Sequence, residues 1–169
     1  MSTSVEQHRS EGPPAVRCAV VTVSDTRTRA TDTGGQTVVD RLIVAGHAVV
    51  ERYIVPDEPE RMRPLLIELH QRADVDAVLV TGGTGIASRD QTYETVAELL
   101  TKPLPGYGEL FRLLSYGEIG AAAMLSRAVG GLLGRLVVLT MPGSTAAVCL
   151  AMDKLILPEL GHLVREARR

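Results

Sequence analysis

The sequence predicts an α/β fold in which a mostly parallel sheet carries helices on both faces. Short apolar runs alternate along the chain with segments of helical periodicity, and this alternation is typical of βαβ units. The apolar runs are nearly continuous, which indicates strands that are buried on both faces. The ligand site of such a fold is expected outside the carboxyl ends of the strands.

The first half of the chain predicts three strands and two helices. A polar loop at 24–35 separates the first strand from the first helix, and Gly46 is suited to end that helix. The second helix begins at Asp57, in an Asp-Glu-Pro-Glu sequence that is typical of an N-cap. The strands are predicted at 16–23, 47–55 and 76–81, and the helices at 36–45 and 57–71.

The second half predicts several helices and an antiparallel pair of strands at the sheet edge. Asp90 is placed to cap a helix that continues to about Thr101, and Ser144 to cap one that continues to about Leu157. Pro103 and Pro105 interrupt the helical pattern. The other helical segments are predicted at 108–115, 116–124 and 159–166, and the two strands at 126–132 and 135–140.

Length and composition indicate one globular domain over 16–169, after a flexible N-terminal tail at 1–15. Aromatic residues make up 3% of the chain and the net charge is −2, which argues against a nucleic-acid partner. The chain has no apolar stretch long enough to span a membrane, and the tail lacks the apolar run of a signal peptide. A cytoplasmic location is therefore expected. Cys18 and Cys149 lie in apolar runs and are predicted to be buried thiols.

The sequence VLVTGGTGIASRD at 78–90 places three glycines directly after a predicted strand. Glycine allows backbone N–H groups to face a ligand, and a following helix start favours an anion. A tight strand-to-helix turn also uses glycine, so the local pattern leaves both interpretations open. It is not a P-loop, which requires a lysine, and Ser88 breaks the Gly-x-Gly-x-x-Gly pattern of dinucleotide-binding proteins.

Charged residues in the same set of loops suggest further chemistry. Asp57 and Asp90 each suit an N-cap, and two such carboxylates beside a phosphate-binding loop could also hold Mg²⁺, directly or through water. Arg89 suits either a phosphate or a neighbouring carboxylate. Asp25 and Asp32 lie in a polar loop that could become ordered over a ligand, but we expect them to be solvated loop residues.

Over 16–163 the chain resembles the MoaB/MogA family of molybdenum cofactor biosynthesis proteins. The resemblance depends on VSDTRTRATDTGG at 23–35, VPDE at 55–58 and TGGTGIASRDQT at 81–92. It continues through LPGYGELFRLLSYGEIGAAAMLSRAVGG at 104–131 and MPGSTAAVCLAMDKLILPELGHL at 141–163. The block at 104–131 is closer to the MoaB branch. Many members have a proline where this chain has Ser88, a difference that concerns the rigidity of the loop more than its chemistry.

The resemblance implies a three-layer α/β/α fold and a molybdopterin adenylyltransferase that transfers AMP from Mg-ATP to molybdopterin. Asp57 and Asp90 match the family's catalytic aspartates and would organise Mg²⁺. The phosphate-binding loop falls on Thr81, Gly82, Gly83, Thr84 and Gly85. Further contacts with molybdopterin or nucleotide are implied at Ser24, Asp25, Arg89, Glu109, Ser115, Arg127, Pro142, Gly143 and Ser144.

The resemblance also implies a homotrimer or a homohexamer, and contact with other molybdenum cofactor enzymes. The apolar stretch at 119–125 suits either an interface or the core, and we expect the core. The alternative to an enzyme is a non-catalytic molybdopterin-binding or carrier protein of the same fold.

Overall fold

The computed structural model describes residues 12–169, so most of the predicted tail at 1–15 lies outside the described residues. Six strands form one sheet in the order β2-β1-β3-β6-β5-β4. The strands are β1 (Arg17–Val23), β2 (Ala48–Val55), β3 (Ala77–Thr81), β4 (Lys102–Pro103), β5 (Gly130–Leu133) and β6 (Leu136–Met141).

The predicted sheet is confirmed: β2, β1, β3 and β6 pair in parallel, and β5 is antiparallel to β6. The two-residue strand β4, which was not predicted, extends the antiparallel edge by pairing with β5. β5 is also shorter than the predicted strand at 126–132, because it begins only at Gly130.

Within residues 12–169, six α-helices cover the sheet. They are α1 (Thr33–Val44), α2 (Pro59–Gln71), α3 (Thr92–Leu99), α4 (Pro105–Ile119), α5 (Thr145–Ala151) and α6 (Leu157–Ala167). The two segments predicted at 108–115 and 116–124 are instead the single helix α4, followed by a 3₁₀ helix at Gly120–Leu125. Pro105 suits the first turn of α4, where no backbone donor is needed, and Gly120 ends the helix with φ of 62°.

The C-terminal helices also differ from prediction, because α5 and α6 are joined without a loop by a π-helical segment at Met152–Ile156. Pro158 follows this segment in the first turn of α6. A proline removes one backbone donor and its ring clashes with the carbonyl group four residues earlier. A local π turn accommodates that disruption and lets the helical run continue.

The core has two apolar layers, one on each face of the sheet, which confirms the predicted helices on both faces. Val20 and Leu139 belong to the layer that packs under α1, α4, α5 and α6. Val21 and Val138 belong to the opposite layer, which includes Met62 and Leu66 of α2. Neighbouring residues of each strand therefore enter different layers, as the alternation of side chains in a strand requires.

Two predictions about apolar residues need correction. Cys18 is fully buried, and burial raises the pKa of its thiol to about 12, but Cys149 is only half-buried. The stretch at 119–125 does not belong to the core, since Ile119 and Met124 are 59% and 72% exposed. In the described residues no helix is both long and apolar enough to cross a membrane.

Candidate active site at the carboxyl ends of the strands

Loops that follow β1, β2, β3 and β6 meet at the carboxyl edge of the sheet, as the sequence predicts. The Gly82 N–H donates to the Met141 carbonyl oxygen at 3.0 Å, which joins the loops after β3 and β6. The Ser24 N–H donates to the Val55 carbonyl oxygen at 2.8 Å, which joins the loops after β1 and β2. Parallel strands produce this convergence because their carboxyl ends lie at one edge.

The glycine loop after β3 packs directly against both predicted catalytic aspartates. A Cβ at Gly83 would lie 2.4 Å from Asp57 Oδ2, and one at Gly85 would lie 2.6 Å from Asp90 Oδ2. Gly82 and Gly83 also have φ of 102° and 64°, values that other residues rarely adopt. Glycine is therefore required at 82 by the backbone conformation, at 85 by the closeness of Asp90, and at 83 by both the conformation and the closeness of Asp57.

The glycine loop contains three successive backbone N–H groups that lack a partner among the described residues. In the part of the chain that the structure describes, the N–H groups of Gly83, Thr84 and Gly85 donate to no protein acceptor. The preceding and following segments are fixed, because Gly82 bonds to Met141 and the Thr92 N–H donates to the Gly83 carbonyl oxygen at 3.2 Å. The loop therefore presents unpaired donors that suit a phosphate group.

Asp57 is buried, with 6% of its surface exposed. It does not cap its own helix as predicted: Glu58 flanks the start of α2, and no side chain caps that end. Asp57 Oδ1 instead accepts the Gln91 N–H at 3.0 Å, at the start of α3. Desolvation, together with the charges of Asp90 and Asp25, raises the pKa of Asp57 above its ordinary value.

Asp90 is half-buried and also differs from its predicted capping role. Its Oδ2 accepts the Ala87 N–H at 2.9 Å within the loop, and α3 begins two residues later with Gln91 as the flanking residue. The side chain thus turns back toward the glycine loop. This conformation places the Asp90 carboxylate beside Gly85 and leaves the N-terminus of α3 without a side-chain cap.

Arg89 pairs with a carboxylate in this structure. Its Nε and Nη2 donate to the two carboxylate oxygens of Asp25 at 2.7 and 2.6 Å, and Glu58 lies 3.6 Å away. Hydrogen bonding from Arg89 lowers the pKa of Asp25 and raises that of Arg89 itself. Asp25 Oδ1 also accepts the Asp57 N–H at 3.2 Å, so this ion pair borders Asp57.

Asp32 is buried and not solvated, which corrects its predicted state. It caps α1 by accepting the Gly35 N–H at 2.9 Å, and this cap starts the helix at Thr33 rather than at Gln36. Arg52 Nη2 donates to Asp32 Oδ2 at 2.7 Å, and Arg52 was not singled out from the sequence. An arginine inside a strand was the available signal, since buried arginines require a partner.

The turn after β6 has its predicted capping residue. Ser144 Oγ accepts the Ala147 N–H at 3.3 Å, which confirms it as the N-cap of α5. The Pro142 carbonyl oxygen accepts from Thr81 Oγ1 at 3.2 Å, and Gly143 lies against Gly82 and Gly34. The turn therefore borders the glycine loop at Gly82. Ser24 Oγ, after β1, accepts the N–H groups of Thr26 and Arg27.

The remaining predicted contacts lie on or near α4. Arg127 reaches the site loop, and its Nη2 donates to the Asp90 carbonyl oxygen at 3.1 Å. Glu109 is exposed and lines a separate cavity of about 280 Å³ between α3 and α4, together with Tyr93 and Arg112. Ser115 is buried within α4. Glu109 and Ser115 make no described contact with Asp57 or Asp90.

The donors present suit a magnesium ion that is shared with a substrate. No group of three His, Cys, Asp or Glu side chains that could hold a metal ion occurs among residues 12–169. Mg²⁺ is commonly bound through one or two carboxylates together with substrate phosphates and water. Asp57 and Asp90 beside a phosphate-binding loop fit that mode, and a closed metal cage built from protein alone does not.

Comparison with known proteins identifies the family. The sequence model of a family described as "Probable molybdopterin binding domain" matches residues 19–162. Molybdenum cofactor biosynthesis protein B of Bacillus anthracis is 53% identical over 98% of this chain and 99% of its own length.

Solved structures agree with the sequence comparison. A crystal structure of a molybdenum cofactor biosynthesis protein B, 53% identical, superposes with a TM-score of 0.90 over 94% of this chain and 99% of its own. The tungsten cofactor synthesizing protein MoaB of Pyrococcus furiosus is 35% identical, with a TM-score of 0.80 over 93% of this chain and 99% of its own. The chain therefore belongs to the MoaB family of molybdenum cofactor biosynthesis proteins.

Proposed function

We propose that the protein adenylylates molybdopterin, using ATP and Mg²⁺, and so activates it for later metal insertion. The observation that carries the proposal is the contact between the glycine loop and two carboxylates. Gly83 packs on Asp57 and Gly85 packs on Asp90, while the N–H groups of Gly83, Thr84 and Gly85 are free among the described residues. Donors for phosphate and ligands for a phosphate-bound cation thus lie side by side.

The reaction requires no covalent intermediate with the protein. An oxygen of molybdopterin's terminal phosphate attacks the α-phosphorus of ATP and forms a P–O bond. The bond between that phosphorus and the oxygen bridging to the β-phosphate breaks, and pyrophosphate leaves with the electron pair. The attacking phosphate is already ionised near neutral pH, so Asp57 and Asp90 have no proton to remove. Their role is to hold the metal and the reacting groups in line.

Asp57 and Asp90 would hold Mg²⁺ with the phosphates. Bound Mg²⁺ supplies positive charge that offsets the repulsion between the anionic substrates. The backbone donors of the glycine loop orient a phosphate group by hydrogen bonds. Arg89 lies at the border of the same cluster, paired with Asp25. A phosphate could exchange with Asp25 as its partner, because guanidinium groups bind both anions in the same two-pronged geometry.

The test is to incubate the purified protein with molybdopterin, ATP and Mg²⁺ and to measure adenylyl-molybdopterin and pyrophosphate. We expect the two products in equal amounts, and no product when Mg²⁺ is removed by a chelator. A protein that binds molybdopterin but forms neither product would be a binding or carrier protein. The free backbone donors of the glycine loop suit a binding protein equally well. The two carboxylates beside that loop, Asp57 and Asp90, favour the enzyme.

We also propose that the protein associates with further copies of itself as a homotrimer or homohexamer. One face of α4 and the following 3₁₀ helix exposes large apolar side chains, here called the α4 apolar face. Its members are Leu110, Leu113, Tyr116, Ile119, Met124 and Leu125. Leu113 is 67% exposed and Tyr116 64% exposed, and a continuous patch of this kind is typical of an interface.

A cytoplasmic location and contacts with other molybdenum cofactor enzymes remain predictions.

Analytical ultracentrifugation tests this association. We expect a trimeric or hexameric mass for the natural protein and a smaller mass for Leu113→Glu. Val44→Glu is the matched control, because Val44 is 88% exposed but lies at the end of α1. A monomeric natural protein, or an equal effect of both variants, would contradict assembly through the α4 apolar face.

A further inference from the structure

Arg127 joins the segment before β5 to the loop that carries Asp90. Its backbone N–H donates to the Thr84 carbonyl oxygen at 3.2 Å, and its Nε lies 3.4 Å from the same oxygen. Its Nη2 donates to the Asp90 carbonyl oxygen at 3.1 Å. The guanidinium group therefore binds the site loop at two points that are six residues apart in sequence.

Two neighbouring residues on α3 fix the position of this guanidinium group. Glu94 accepts from Arg127 Nη1 through Oε1. The Tyr93 ring lies beneath the charge, with its centroid 5.3 Å from Arg127 Cζ. The Arg127 side chain is 24% exposed, so these contacts are partly shielded from water. A flat fork of donors can serve all of these acceptors together, whereas a lysine ammonium cannot.

One peptide group connects Arg127 to both predicted catalytic aspartates. The carbonyl oxygen of the peptide between Asp90 and Gln91 accepts from Arg127, and the N–H of the same peptide donates to Asp57 Oδ1 at 3.0 Å. Rotation of this peptide would break both bonds at once. A donor on the carbonyl oxygen also polarises the peptide and strengthens its N–H as a donor.

We propose that Arg127 is a positioning residue that fixes the Asp90–Gln91 peptide and thereby sets the relative placement of Asp57 and Asp90. This assignment differs from a direct contact with substrate, which the family resemblance implied for Arg127. The part that concerns turnover rests on the proposed adenylyl transfer. The part that concerns the peptide group does not, and it is measurable on the protein alone.

Arg112 provides a matched control. Its Nη1 lies 3.4 Å from the carbonyl oxygens of Ser126 and Ala128, the two residues that flank Arg127. Arg112 makes no described contact with the loop at 84–91. Its replacement therefore disturbs the same segment and removes the same charge, but leaves the Asp90–Gln91 peptide with its Arg127 bond.

The experiment measures backbone hydrogen exchange by NMR in the full chain for Arg127→Met, Arg127→Lys and Arg112→Met. We expect the Gln91 amide to exchange at least tenfold faster in both Arg127 variants, and at its natural rate in Arg112→Met. If Arg127→Met does not fold, Arg127→Lys carries the test, because lysine keeps the charge and loses the simultaneous contacts. Unchanged exchange at Gln91 in the folded Arg127 variants would overturn the inference.

Steady-state kinetics then separates positioning from substrate contact. We expect kcat to fall at least tenfold in Arg127→Lys while KM for ATP and for molybdopterin stays within about twofold. A raised KM with unchanged kcat would make Arg127 a substrate contact, and unchanged values of both would remove it from the reaction. If the natural protein forms no product, the proposed function fails, while faster Gln91 exchange would still support the role of Arg127 in fixing the peptide.

Discussion

Two buried aspartates at opposite ends of the parallel strands have pKa values that are shifted in opposite directions. Asp57 follows β2 at the carboxyl end, where desolvation and the neighbouring Asp90 and Asp25 raise its pKa. Asp76 precedes β3 at the amino end and is buried to a similar degree. Burial alone would raise the pKa of Asp76, but hydrogen bonds from Arg17 and Arg168 lower it to about 2. Both carboxylates are buried, and their partners decide the direction of the shift.

Ionised Asp76 stabilises the fold, whereas ionised Asp57 lowers its stability. Asp76 accepts from Arg17 Nη2 at 2.7 Å and from Arg168 Nη2 at 2.6 Å, so its charge is offset by two guanidinium groups. Within the described residues, Asp57 accepts a backbone N–H but no hydrogen bond from an arginine, since Arg89 donates to Asp25. An unneutralised buried carboxylate is typical of a site that binds a cation or a reacting group.

The largest effect is expected for Asp90→Asn. Asparagine keeps an oxygen that can accept the Ala87 N–H but loses the charge that would hold Mg²⁺. We expect the rate of adenylyl transfer to fall on the order of 10²- to 10³-fold, with little change in the midpoint of thermal unfolding. Asp40→Asn, an equal charge change on the exposed face of α1, is the control and should keep its rate. Parallel losses of rate and of stability would mean that Asp90 is a structural residue.

Gly83→Ala is expected to have a smaller effect on the rate and to lower stability as well. The added Cβ would lie 2.1 Å from Thr92 Oγ1, and the residue has φ of 64°. The free energy of unfolding should fall by about 1–3 kcal/mol, and the rate should fall as well. Gly106→Ala is the control, because outside its chain neighbours and the backbone of its own helix no atom of the described residues lies within 4 Å of the added methyl group. Chemical denaturation measures both variants. Equal stability of the two would show that the glycine loop adapts and is not fixed by Asp57.

At the amino end, Asp76→Asn should lower the free energy of unfolding near neutral pH by about 1–2 kcal/mol, with the rate unchanged. The folded pKa of Asp76 lies below the unfolded value of about 4, so its contribution is complete above pH 4 and is lost between about pH 4 and pH 2. Denaturant titrations across this range should show the two proteins converging toward pH 2. A difference that persists at pH 2 would exclude the charge of Asp76 as its origin.

The sequence predicted the features that depend on local periodicity. Apolar runs predicted the parallel strands. Because ligand sites lie at the carboxyl ends of such strands, the sequence also predicted that Asp25, Asp57 and the loop at 82–90 lie close together. The family motifs added chemistry to that placement. Ser144 was correctly predicted as a cap, because its hydrogen bond to the Ala147 N–H lies within the local sequence pattern.

The failures have tertiary causes. Asp57 and Asp90 follow the sequence pattern of N-caps, but their oxygens accept N–H groups of Gln91 and Ala87. The burial of Asp32 was missed because the partner of its charge, Arg52, is twenty residues away in the sequence and no local window relates the two. β4 has only two residues and hence no period to detect.

Asp57→Asn tests the central claim most directly, because the same substitution should move stability and activity in opposite directions. The raised pKa means that ionised Asp57 lowers the stability of the fold at neutral pH, so asparagine should raise the midpoint of thermal unfolding. The rate of pyrophosphate release with molybdopterin, ATP and Mg²⁺ should fall on the order of 10²-fold or more in the same preparation. A lower midpoint of unfolding, or a rate equal to that of the natural protein, would contradict the claim that ionised Asp57 holds the metal and the phosphates.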